Sequence, residues 1–194
     1  AGFVSLQMPD HTTAKLTVNK RSGVANFKFD QSTKAGTVII GSGASSTDIN
    51  AAMVTITSDS SCEGFAEGGD FCGSSTNYKL YFVAEFDRPS TSNGTWEKNV
   101  LSEGVNEASG KKSGAYFSFD TTTNSEVNYR ISISYVSIEN AKENLKASCI
   151  EGGFSAYQKN AETAWDSSLS KIVIETPSTD RKIQFYTHLY HSLI

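Results

Sequence analysis

The chain has 194 residues, 38% of them hydrophobic and 20% charged, enough for one well-buried core and too few for two. Seventeen Lys and Arg against 21 Asp and Glu leave a net charge of −4, and no basic run exceeds the pairs Lys20-Arg21, Lys111-Lys112 and Arg181-Lys182; without a basic stripe to track phosphates, no nucleic acid partner is expected. No stretch approaches the roughly 18 consecutive apolar residues of a membrane span, and the chain does not start on a charged segment followed by an apolar run, so no membrane partner is expected either.

The first two thirds read as strands. "AKLTV" (14–18), "ANFKF" (25–29), "TVII" (37–40) and "AMVTIT" (52–57) are short apolar runs flanked by Gly, Ser, Asn, Asp or Thr. "GSGASS" (41–46) reads as a loop. It opens no helix and brings no phosphate-loop lysine, and the chain has no G-x-S-x-G elbow, which removes nucleotide binding and serine chemistry. Cys62 and Cys72 bracket "EGFAEGGDF", a Gly-rich segment read as an excursion that a disulfide would stiffen. Such a bridge implies an oxidising compartment; two unpaired thiols are the alternative.

"KLYFVAEF" (79–86) places Leu80, Phe82, Ala84 and Phe86 on one side and Tyr81 and Val83 on the other, as in a central strand covered on both faces. "NGT" makes Asn93 an N-glycosylation acceptor among turn residues, and Trp96 beside it is a candidate stacking platform for sugar, or a partly buried strand residue. "AYFSF" (115–119) is a further strand. In "VNYRISISY", Val127, Tyr129, Ile131, Ile133 and Tyr135 alternate with polar residues, the period of a sheet with one buried face. Many short strands without intervening helices predict an antiparallel β-sandwich over 1–136.

The period then changes. "SIENAKENLKA" starts on a capping Ser137 and carries Ile138, Ala141 and Leu145 on one helical face. "FSAYQKNAETAWDSSLSKI" pairs Ser155 with Gln158 as a capping box and runs a stripe of Phe154, Tyr157, Ala161, Trp165 and Leu169, which puts Trp165 in a core. "KIVIE" (171–175) reads as a short strand, and a last helix presents Ile183, Tyr186, Tyr190 and Leu193 on one face. Residues 137–176 thus hold two helices and a short strand, and 177–194 a third helix.

Candidate chemistry is sparse. His188 and His191 stand three apart with no Glu between them, unlike a zincin pair, and read as packing or capping residues. Glu63, Glu67, Asp70, Glu85, Asp87 and Asp120 fall near strand ends or turns; a glycosidase needs one protonated and one ionised carboxyl facing each other, which spacing alone does not supply. Cys149 is left over, as a buried thiol or one with a partner elsewhere.

"AGFVSLQM", "KLTVNKRSGVANFKF", "YKLYFVAEFD", "ISISYVSIENAKENLKA", "AETAWDSSLSKIVIE" and "IQFYTHLYHSLI", in this order, resemble successive segments of the N-terminal domain of glycoside hydrolase family 92, the calcium-dependent exo-α-mannosidases. "GGDFCG" resembles the secreted fungal branch. The resemblance implies a mutarotase-like sandwich joined by linker helices to a helical barrel domain, with "FYTHLYHSLI" as the first barrel helix. It implies inverting hydrolysis of terminal α-mannosides, with the catalytic carboxylates and calcium ligands outside this chain, so that no catalytic residue, metal ligand or cofactor is assigned here. The partners it implies are the C-terminal barrel of the same enzyme and mannose-containing glycans, in a secreted protein. The other expectation is a free-standing lectin-like sandwich, in which Asp70, Phe71 and Trp96 would contact sugar.

Overall fold

The computed structural model describes residues 2–41 and 48–194, so the loop expected over 41–46 lies, beyond Gly41, outside the described residues. Among the described residues twelve strands form two antiparallel sheets. The larger is built from β1 (Phe3–Gln7), β2 (Thr13–Val18), β3 (Ser22–Lys28), β5 (Ile49–Ser58), β6 (Ser61–Gly69), β7 (Asn77–Phe86), β10 (Glu107–Ser109) and β12 (Glu126–Ser134), in the order β1-β2-β3-β12-β7-β6-β5-β10. The smaller comprises β4 (Ala35–Gly41), β8 (Ser92–Glu97), β9 (Val100–Glu103) and β11 (Ser113–Asp120), in the order β4-β11-β8-β9. Three helices follow: α1 (Ile138–Ala147), α2 (Gly153–Leu169) and α3 (Thr179–His191).

The alternating residues close the sandwich. Val38 and Ile40 of β4 and Ala115, Phe117 and Phe119 of β11 face Val54, Ile56, Cys62, Ala84, Phe86 and Val127 of the larger sheet. Phe86 is the hub, its ring 4.8 Å from Phe117, 5.0 Å from Phe119 and 5.6 Å from Tyr129. Each fully buried ring contributes about 2–3 kcal/mol by leaving water.

The other face of the large sheet carries the helices. Val83 points away from the sandwich core into Ala141, Leu145 and Ile138 of α1, so β7 is covered on both faces, as its sequence predicts. Ser137 caps α1, its Oγ accepting from the Asn140 N–H at 3.0 Å. Two further bonds tie α1 to β12: Ser132 donates to the Ala141 carbonyl, and Asn144 Nδ2 donates to the Ile133 carbonyl at 2.9 Å. α2 lies along β1, β2 and β3 and buries Tyr157 and Ala161.

Several expectations are corrected. The segment between Cys62 and Cys72 is no loop: residues 61–69 form β6, paired residue by residue with β5 and β7. Gly64 reads as a loop residue in sequence but is demanded by packing, because a Cβ there would run into the Met53 carbonyl. α2 has no capping box: Gly152 occupies the cap with no side-chain bond, and Gln158 bonds Glu162 instead. The apolar run at 171–175 finds no partner strand, and Val173 is 77% exposed. Trp165 is half-buried, 4.6 Å from Tyr190, and so joins α2 to α3 instead of entering a core. Among the described residues no helix is long and apolar enough to cross a membrane.

Candidate functional site

The residues singled out for sugar contact do not converge. Asp70 ends β6 with φ 57 and organises the turn after it. Its N–H donates to the Thr76 carbonyl at 3.1 Å, its carboxylate accepts from the Ser75 N–H at 3.3 Å, and its carbonyl accepts from the Gly73 N–H at 3.3 Å. Phe71 begins the 3-10 turn Phe71–Gly73, and its side chain lies outside what the structure describes. Trp96 belongs to the other sheet. It sits opposite Gly114 on β11, half-buried, with its indole packed where a Cβ of that glycine would be. The Nε1–H is buried and meets no acceptor among the described residues. This is the partly buried strand residue rather than an open platform.

The expected disulfide is not formed. Cys62 is a buried free thiol in β6, and Cys72 an exposed free thiol in the turn beyond it. At about 3.3 Å per residue, the intervening strand holds the two well beyond the Cα separation that a bridge tolerates. Burial, with Glu63 adding to it, pushes the Cys62 thiol up to about 12, which makes it inert. The sequon is also placed differently: Asn93 lies inside β8, its amide donating to Ser90 Oγ at 3.2 Å and Asp59 Oδ1 at 3.4 Å, and Thr95 is 2% exposed. It is strand, not turn.

His188 and His191 are both exposed in the last turn of α3, where an imidazolium suits the negative end of the helix. Among the described residues no group of three or more His, Cys, Asp or Glu is placed to hold a metal ion. Three carboxylates have clearly displaced pKa values, and all move down. Asp30 and Asp120 are lowered mainly by the Ser32 and Thr122 hydroxyls, and Glu139 by its own N–H and the Ser137 hydroxyl.

The most developed polar constellation lies in the groove between the large sheet, α1 and α2. Glu85 near the end of β7 and Asp87 just beyond it are both exposed, Glu85 opposite Arg130 of β12 and Asp87 bonded through its N–H to the Asn128 carbonyl at 3.0 Å. Asp87 accepts from the Asn128 N–H at 3.1 Å and from its Nδ2 at 2.7 Å. Arg130 Nη2 meets Glu85 Oε2 at 3.0 Å, and Nη1 donates to Cys149 Sγ at 2.8 Å. Cys149 is thus an exposed free thiol, not a buried one. Burial pulls the Arg130 pKa down, but the Tyr157 hydroxyl and Cys149 more than offset it, for a net rise. The Tyr157 hydroxyl accepts from the Ile150 N–H at 2.8 Å. An open cavity of about 320 Å³ beside Arg130 is lined by Val24, Phe154 and Tyr157. Every carboxylate here is already held by its neighbours, so the constellation binds the chain to itself.

Residues 1–134 match the glycosyl hydrolase family 92 N-terminal domain, and residues 140–194 match the family's catalytic domain. Among solved structures, the chain resembles the Family GH92 inverting mannosidase BT2199 from Bacteroides thetaiotaomicron with a TM-score of 0.88 at 20% identity, over 100% of this chain and 25% of that one. It resembles the family GH92 α-mannosidase BT3965 of the same organism with a TM-score of 0.84 at 24% identity, over 98% of this chain and 26% of that one. For the gh92 family glycosyl hydrolase ccman5 the TM-score is 0.82 at 22% identity, over 97% and 27%. The chain therefore spans about a quarter of the length of these structures. No curated protein matches it. The structural likeness establishes the sandwich with its helices, and the N-terminal domain match, which alone covers well over half of the residues, establishes the descent: this chain belongs to glycosyl hydrolase family 92.

Proposed function

We propose that this chain is the non-catalytic N-terminal sandwich portion of an α-mannosidase that hydrolyses terminal α-mannosides with inversion. The observation that carries the reading is the division of one short chain between the family's N-terminal and catalytic domain matches, at residues 1–134 and 140–194. In this reading residues 137–176 link the domains, 177–194 open a helical barrel, and the sandwich buttresses that barrel and lends loops to its cleft. Inversion needs an acid and a base about 6.5–9.5 Å apart with water between them. Glu85 and Asp87 are committed to Arg130 and Asn128, so both catalytic carboxylates come from the rest of the enzyme. Calcium, which the family likeness implies, would be held there too, since the described residues do not fit a cation site.

The physiological substrates in this reading are mannose-containing glycans, and the protein is secreted. A free-standing sugar-binding module has no observation in its favour, because Asp70 serves its own turn and Trp96 is packed over Gly114. The test is hydrolysis of an α-mannobiose, followed by NMR of the first-formed anomer, for the full-length polypeptide and for residues 1–194 alone, each with and without calcium. β-Mannose released by the full-length protein only is the expected result. Turnover by residues 1–194 alone, or none by the full-length protein with calcium, overturns the proposal.

A further inference from the structure

The geometry points to Arg130 as a positioning residue that sets the angle between the sandwich and the helices leading into the catalytic domain. The inference rests on the proposed function only for its kinetic consequence. Arg130 and Glu85 lie within the N-terminal domain match, whereas Cys149, Ile150 and Tyr157 lie within the catalytic domain match. The guanidinium fork therefore spans the domain junction, one arm on Glu85 at 3.0 Å and the other on Cys149 at 2.8 Å.

What makes the fork matter is that the junction is not packed flush around it. Arg130 lines two open grooves of about 320 Å³ each, one shared with Ile150, Gly153, Phe154 and Tyr157 and the other with Lys142, Lys146 and Cys149. Shape alone does not fix the α1–α2 link over this stretch. Directional bonds do: Arg130 to the Cys149 sulfur, and the Ile150 N–H to the Tyr157 hydroxyl, which lines the same groove as Arg130. Elsewhere α1 is fixed by Ala141 and Leu145 on Val83 together with its two bonds to β12, and α2 by Ala161 and Glu162 pressed on Gly2. Arg130 is a polar tie between these two supports, beside the Asn19 amide, whose Nδ2 donates to the Ser148 carbonyl at 3.3 Å. A planar fork suits two acceptors at once, which a lysine ammonium does not.

The test compares Arg130→Met and Arg130→Lys with the parent in the full-length protein, by peptide-resolved hydrogen exchange and by α-mannoside kinetics. In Arg130→Met, exchange over residues 148–153 rises about tenfold while β11 and β12 keep their protection. The kcat falls about tenfold with KM within about twofold, because small misplacement of a cleft costs rate before it costs binding. Arg130→Lys restores less than half of either effect. Exchange over 148–153 within about twofold of the parent overturns the inference, as does unchanged kcat in an active enzyme. A parent without α-mannosidase turnover removes the functional reading alone, and the exchange result still decides the role of Arg130. Should Arg130→Met fail to fold, Tyr157→Phe replaces it, with a rise of about threefold over the same residues expected and no rise overturning the inference.

Discussion

α1 and α3 are helices of similar length with serine caps of the same kind, yet α1 buries Ala141, Asn144 and Leu145 and α3 buries nothing. α1 has the outer face of β7 beneath it, whereas α3 reaches α2 through Trp165 and Tyr190 and leaves Ile183 61% exposed. The contrast separates what local sequence does from what tertiary packing does. Capping and periodicity suffice to write a helix, but its contribution to stability depends on the surface it meets.

Three substitutions and one pH series break or sharpen this contrast. Phe117→Ala removes a fully buried ring from the Phe86 cluster and is expected to cost about 3–5 kcal/mol in urea unfolding, close to the whole stability of many single domains. Leu145→Ala strips α1 from Val83 and should cost about 2–4 kcal/mol, with exchange rising first in α1. Trp165→Ala, in residues 1–194 alone, is expected to change the sandwich midpoint by less than about 1 kcal/mol while releasing α3; a loss as large as that of Leu145→Ala would show that the two helical regions are not distinct.

The smallest effect concerns Asp120, whose carboxylate accepts from the Thr122 N–H at 2.9 Å and from its hydroxyl at 2.6 Å. These bonds hold its pKa below the ordinary 3.8. The folded-state pKa is the lower one, so the contribution is present above the unfolded value and lost as pH falls through the folded one. In Asp120→Asn the decline in urea midpoint below about pH 4 should therefore be shallower than in the parent. An identical acid limb would mean that the turn contributes nothing.

Strands whose polar and apolar residues alternate were legible, because a sheet with one buried face imposes the period that Val127 to Ile133 display. Central β6 was not, since Gly64 is required by close backbone approach to β5, and a glycine needed for contact looks the same in sequence as one needed for a turn. The bracketing cysteines invited a bridge for the same reason. The 171–175 run is apolar and found no neighbour, which composition does not reveal. The Arg130 constellation joins residues 45 and 19 positions apart. Antiparallel register sets Arg130 against Glu85, and the turn after α1 sets it against Cys149. Neither relation is periodic, so no local pattern announces it, although an Arg alternating with core residues on a two-faced strand is the signal to look for.

The half-buried indole of Trp96, packed over Gly114 with its N–H away from water, has a spectroscopic consequence. The chain contains two tryptophans, one in the small sheet and one between α2 and α3. Trp96 reports on the small sheet, and Trp165, against Tyr190, on the contact between α2 and α3. Each half of the molecule thus carries its own intrinsic fluorophore. Single Trp→Phe variants turn one unfolding experiment into two independent optical records, one of the undocking of the helices and one of the melting of the sheets.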